Sequence, residues 1–332
     1  MNRIQLNRTS FDGSPISQKK LELWYDEENK LSDDIKRKVA KIHRKNCKIE
    51  ALLREIENNI HDILLLSPDK LEEWADKIDN DYPGVFTKQT KNGKKAKSTR
   101  LGVQLLKAFH YDYYRKNRLV ELAKKLNVKC CPYCNMHYTL YAEEGTKKPE
   151  QLAKLQFDHF FSKSKYPMLS MSLYNLIPSC AICNQGKSEK KLSLSFHPYH
   201  SDISKQFKFE LGNPIGLRTG ERIKDVVEIN IVPTTPNQTE LNDFIDTFHL
   251  KALYQRHGDI AQETFDKAYE YPYYSNPQNF TWLSDASSEY IKRLWIGTYT
   301  KENEIEKRPM TKFIQDLWEQ ALRIKMANTT II

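Results

Sequence analysis

The 332-residue chain contains no apolar run approaching the roughly 20 residues that a membrane-spanning helix needs. Its first residues, Met1-Asn-Arg-Ile-Gln-Leu-Asn, lack the apolar segment of a signal peptide. There is no internal repeat, no Walker loop and no dinucleotide-binding fingerprint. These absences predict a cytoplasmic protein with no membrane partner. Charged residues are 29% of the chain and mean hydropathy is −0.70, while 39% apolar residues still permit packing. The length allows two or three domains with a sizeable core.

Acidic residues are missing from one stretch. Between Tyr82 and Tyr111 there is no Asp or Glu, yet Lys88, Lys91, Lys94, Lys95, Lys97, Arg100 and Lys107 fall there. The net charge is +9 and the pI about 9.0, a balance that favours a polyanion such as nucleic acid or an anionic membrane surface. Asn92-Gly93 marks a turn inside the stretch. It reads either as a solvated loop or as one that contacts phosphates through Lys88, Lys91, Lys94, Lys95, Lys97 and Arg100.

The first thirty residues suggest a short extended piece and loop. From Ser32-Asp33, an N-cap with acidic first-turn residues, the apolar positions Ile35, Val39, Ile42, Ile49, Leu53, Ile56, Ile60 and Ile63 alternate in steps of four and three, with Asn46 in one polar slot. This spacing predicts one long helix ending at Ser67-Pro68. Its seam over 35–63 either makes a coiled-coil contact or packs within its own domain. A helix near Pro68–Ile78 follows, and another over Thr99–Leu126 with Leu105, Leu106, Phe109, Tyr113, Val120, Ala123 and Leu126 inward. Further on, Phe207, Phe209 and Leu211, then Val227, Ile229 and Ile231, alternate with polar residues. Gly212-Asn-Pro and Thr219-Gly220 lie between them, so a small antiparallel hairpin is expected. The remainder reads as helices over Leu241–Gln255, Ile260–Glu270, Ser287–Tyr299 and Met310–Met326. Tyr269–Tyr274 is expected as a packed aromatic loop or a base-stacking platform.

Six cysteines are present, and four form two pairs: Cys131-Pro-Tyr-Cys134 and Cys180-Ala-Ile-Cys183. Without an export signal, thiols stay reduced and metal is the better reading. Two CxxC turns supply four sulfurs for tetrahedral Zn²⁺. The 45 residues between the pairs exceed the gap of a zinc ribbon, so a functional element must occupy it. Cys130 and His137 are spare candidate ligands; Cys47 reads as an inert thiol.

That gap contains Asp158-His159 at the end of an apolar strand, then Tyr174-Asn175-Leu176; Asn184 directly follows the last cysteine and Lys187 follows it by three. The pattern Asp-His, Asn-Leu, Cys-x-x-Cys-Asn-x-x-Lys resembles that of the HNH, or His-Me finger, endonucleases. The likeness covers about a sixth of the chain. It implies a ββα-metal module, a β-hairpin and helix around one cation. His159 would then be the general base on the attacking water. Asp158 and Asn184 would bind Mg²⁺ or Mn²⁺, and Asn175 would tie down the loop carrying His159. Lys187 reads as a phosphate contact or an ordinary surface lysine. Many family members carry His where this chain has Asn184; the Asn form occurs among zinc-clasped members. The text from Asp158 to Cys180, with His197-Pro198-Tyr199, is similar to the HNH nuclease subunit of Septu-type antiphage systems, including retron-associated versions. This implies an ABC-like ATPase partner and degradation of DNA, or of RNA, during infection.

The expected architecture is mainly α: a helical region over 1–128, a zinc-clasped ββα-metal nuclease module over 129–200, and a hairpin with helices over 201–332. The expected function is a metal-dependent DNA endonuclease in antiphage defence. The competing readings are a non-catalytic zinc adaptor for nucleic acid or protein, and a restriction or homing nuclease acting alone.

Overall fold

A computed structural model describes residues 1–28, 30–43, 46–89, 96–145, 150–212, 228–275 and 287–329. The chain forms two compact units. One comprises Ile4–Val128 with Thr139–His200; the other comprises Met1–Arg3, Lys129–Tyr138 and Ser201–Ile332. The segment 129–200 is divided between the two units. Most of it packs with the N-terminal helices.

The first unit opens with a small hairpin, β1 (Arg8–Thr9) and β2 (Pro15–Ile16), whose turn is held by Asp12 accepting from Ser14 N–H at 3.0 Å. The extended start is followed by an unexpected helix, α1 (Gln18–Tyr25), capped by Ser17. The single long helix is a correction: the seam residues, Ile42 excepted, belong to α2 (Leu31–Val39), α3 (Cys47–Asn58) and α4 (Ile60–Leu65), and Ile42 lies between α2 and α3. Asn46 is not a polar seam residue but the N-cap of α3, its oxygen accepting from Lys48 N–H at 3.0 Å and Ile49 N–H at 3.2 Å. The apolar stripe is spent internally. Ile35, Val39, Leu53, Ile56, Ile60 and Ile63 are all buried, leaving no continuous coiled-coil seam over 35–63. Ser67-Pro68 starts α5 (Pro68–Asp81), as its position implies.

A short hairpin, β3 (Thr87–Lys88) with β4 (Lys97–Ser98), forms the base of the basic stretch. It rests on α6 (Arg100–Phe109), where a Cβ on Gly102 would come within 2.4 Å of the Phe86 carbonyl oxygen. The helix expected to run to Leu126 breaks at His110, whose left-handed φ of 57° closes α6. It resumes as α7 (Tyr111–Tyr114) and α8 (Arg118–Leu126). Then come β5 (Leu140–Glu144) antiparallel to β6 (Glu150–Lys154), and β7 (Gln156–His159) antiparallel to β8 (Leu176–Ser179), followed by α9 (Ala181–Lys187). The β7–β8 register sets Asp158 opposite Ile177 and His159 opposite Leu176.

In the second unit, β9 (Phe207–Leu211) pairs antiparallel with β10 (Ile229–Pro233) as the alternation implies. Val227, Asn213-Pro214 and Thr219-Gly220 lie outside the described residues. The expected helix over 241–255 divides at His249, φ 51°, into α10 (Gln238–Phe248) and α11 (Leu250–Tyr254). In α12 (Gly258–Tyr274) the Tyr269–Tyr274 run is helical, which corrects the expected loop. Tyr271 packs on Trp318 of the last helix at 5.2 Å between ring centres. The unit ends with α13 (Ser288–Ile296) and α14 (Thr311–Thr329). From α14, Asp316 accepts Phe209 N–H at 2.9 Å, and Gln320 both accepts Leu211 N–H at 2.9 Å and donates to its carbonyl at 3.1 Å. Helix side chains thus satisfy the open edge of β9. No helix among the described residues is long and apolar enough to cross a membrane.

Candidate active site

Each cysteine turn has a backbone N–H pointing at one of its sulfurs. After Cys131-Pro-Tyr-Cys134 the backbone turns through Asn135, φ 50°, whose N–H reaches the Cys131 carbonyl at 2.8 Å; Met136 N–H points at the Cys134 sulfur at 3.4 Å. Cys180 caps α9, and Cys183 N–H points at the Cys180 sulfur at 3.4 Å. The sulfurs of Cys131, Cys134, Cys180 and Cys183 lie within 4.8 Å of one another, and all four residues are buried. A tetrahedral zinc with bonds of about 2.3 Å separates its sulfurs by about 3.8 Å, so the four thiols fit such an ion. Cys130 is outside the cluster, and burial pushes its thiol up to about 12, the neutral form. His137 sits beside the cluster with Nδ1 3.7 Å from the Cys134 sulfur. Neither spare candidate joins the four-cysteine cluster.

The second centre lies wholly within the first unit. β7 ends in Asp158 and His159, and α9 brings Asn184 to the same cavity, which has a volume of about 440 Å³. His159 is 8% exposed. Its Nε2 lies 2.9 Å from the Ser170 carbonyl, an atom that can only accept, so Nε2 carries the proton and Nδ1 is the basic nitrogen. Burial first, then Lys163, lowers the ring's pKa to about 3 despite the Ser170 bond. The imidazole is neutral at pH 7. Tyr111 stands edge-on to it at 4.6 Å, its own hydroxyl raised to about 12 by burial.

Asn175 is fully buried and saturated: Oδ1 accepts from Phe161 N–H at 2.7 Å, and Nδ2 donates to the carbonyls of Phe161 and Leu169 at 3.0 and 2.8 Å. It closes the loop that follows His159 and touches nothing in the cavity. The N-terminal helices brace the same loop. Ser172 donates to the Ile63 carbonyl at 2.6 Å, Tyr25 to the Met171 carbonyl at 2.7 Å and Tyr166 to Asp79 at 2.8 Å. Asn184 donates from Nδ2 to Gln156 Oε1 at 2.5 Å, which leaves its Oδ1 for another partner.

Lys187 is neither a surface lysine nor a phosphate contact. It is 0% exposed, 3.2 Å from Asp158 Oδ2, and donates to the His159 carbonyl at 2.7 Å. Of the basic stretch, Lys88, Lys97 and Arg100 are exposed around the β3–β4 hairpin; Lys91, Lys94 and Lys95 lie outside the described residues. Lys88 and Lys165 line a second cavity of about 530 Å³, which shares Glu189 with the first. Sequence reasoning missed Tyr111, Arg115, Gln156, Lys163 and Ser170. Gln156 sits two residues before Asp158 on the same face of β7, a period-two signal that was available. Tyr111 and Arg115, the first residue and the C-cap of α7, are distant in the chain and carry no local mark.

Comparisons with protein families, with curated proteins and with solved structures returned no match to this chain.

Proposed function

We propose that the chain is a metal-dependent HNH endonuclease hydrolysing DNA phosphodiester bonds, with β7, β8 and α9 as its ββα-metal finger and Zn²⁺ in the four-cysteine cluster. One observation carries this: a neutral His159, fixed by its bond to the Ser170 carbonyl, shares a cavity with Asp158 and Asn184. The carboxylate of Asp158 and Oδ1 of Asn184 are hard oxygen donors of the type Mg²⁺ and Mn²⁺ take, with waters and substrate completing the shell. When bound there, the cation would stabilise charge on the phosphate and on the leaving 3′-oxygen. Nδ1 of His159 takes a proton from the attacking water, and the substrate's negative charge favours the imidazolium that forms. Nε2–H stays on Ser170, so the ring cannot turn. Lys187 and Asn175 hold the two ends of the loop.

The similarity of the segment from Asp158 to Cys180 to the Septu-type nuclease subunit supports a role as an antiphage effector acting with an ABC-like ATPase. In a plasmid assay with Mg²⁺ or Mn²⁺, with and without that ATPase, wild-type protein should nick or linearise DNA. His159→Ala should slow this by about 10²–10⁴-fold. Equal nicking by both proteins, or none by wild type even with its partner, would defeat the assignment.

The Asp158–Lys187 ion pair favours a second reading, a non-catalytic zinc adaptor in which these residues only hold the fold. DNA binding without cleavage in the same assay would point there.

A further inference from the structure

We propose that Lys163 and Arg115 form a phosphate seat at the mouth of the His159 cavity, receiving a phosphodiester of the nucleic-acid strand; the inference rests on the nuclease reading above. Both residues line that cavity. Lys163 is half-buried with its ammonium 4.1 Å from the centre of the Tyr111 ring, the same ring that stands against His159. Among the described residues neither Lys163 nor Arg115 makes an ion pair, whereas the nearby Lys165 and Lys191 are paired with Asp79 and Asp76 at 2.8 Å each. Burial lowers the Lys163 pKa; Asp112 raises it and Arg115 lowers it again. A half-desolvated ammonium stacked on an aromatic ring gains most from a further anion.

The cavity's two acids do not consume these cations. Asp158 is balanced from behind by buried Lys187. Glu189 is bonded to Ser164 at 2.5 Å, at the point where the second cavity begins. Asp112 offsets part of the Lys163 charge, and the rest lies on the lining of the cavity that holds His159. Arg115 can grip two phosphate oxygens at once, and Lys163 acts as a point charge beside the reacting centre.

The test uses full-length protein carrying His159→Ala, so that binding is read without turnover. A labelled DNA oligonucleotide is titrated by anisotropy over a range of salt concentrations. Lys163→Met and Arg115→Ala should each lower the slope of log K against log salt by about 1. Lys163→Arg should restore it, and Lys70→Ala, an exposed α5 lysine paired with Glu73, should leave it unchanged. In proteins retaining His159, the two seat variants should raise KM more than they lower kcat. An unchanged slope in both variants overturns the seat, and cleavage by wild type would then leave the nuclease reading standing. Loss of slope with no cleavage by any protein keeps the seat and removes the hydrolytic assignment instead.

Discussion

A lysine with no exposed surface is costly to bury, and Lys187 is tolerated because Asp158 and the His159 carbonyl meet its charge. The pair ties the end of β7 to α9, which carries Asn184, so three candidate catalytic positions depend on one ammonium. Lys187→Met keeps the length of the side chain but leaves Asp158 buried without its cation. We expect a loss of about 3–5 kcal/mol in urea unfolding. Adding Asp158→Asn should recover a good part of it, because no uncompensated charge then remains. Lys187→Met within about 1 kcal/mol of wild type would mean the pair does not hold the site. At this scale the sequence was informative about residue type and silent about depth. Asn175 stood where a loop-tying amide was expected and is saturated as such. Lys187 was legible as a motif lysine, but its burial follows from how α9 packs on β7, which spacing along the chain does not encode.

Elements were legible where apolar periodicity and turn chemistry agreed. Pro68 at the start of α5, Ser287 at the start of α13 and the alternation of β9 with β10 all read correctly. Breaks were missed where the residue at the break carries no glycine or proline signal. His110 and His249 take left-handed conformations that pattern reading assigns to glycine or asparagine. Asn46 fitted a polar slot of a heptad as well as an N-cap, and only backbone hydrogen bonds decide between them. The two cysteine turns were legible because their chemistry is local. Metal analysis should find one zinc per chain in wild type and in Cys130→Ala, and a substoichiometric amount with a lowered melting temperature in Cys131→Ser or Cys180→Ser. Retained zinc in the last two, or its loss in Cys130→Ala, would mean a different ligand set.

Across the first unit, the N-terminal helices serve the loop between His159 and Asn175, a role no local motif announces because it is made by contacts between Ile63, Tyr25 or Asp79 and residues roughly ninety to a hundred and fifty positions later. Packing of this kind has a consequence for the whole unit in acid. His159 and His197 are both buried, and burial lowers each ring to about 3 from an ordinary value near 6.5. The unfolded chain therefore binds protons at these positions between about pH 6.5 and 3 while the folded chain does not. Stability from the neutral rings is fully present above pH 6.5 and is lost as pH falls through that window, by about 1.4 kcal/mol per pH unit for each ring. By pH 5 the two together remove about 4 kcal/mol. Protonation of the cysteine thiolates would act in the same direction, so zinc release should be followed with a chromophoric indicator in the same samples. Urea midpoints should fall from pH 7.5 to pH 5, beginning before zinc appears in solution. His197→Gln, which cannot take up a proton, should be less stable at pH 7.5 yet lose about half as much on acidification. A flat profile down to pH 5, or one that tracks zinc release alone, would show that the buried rings do not govern acid stability.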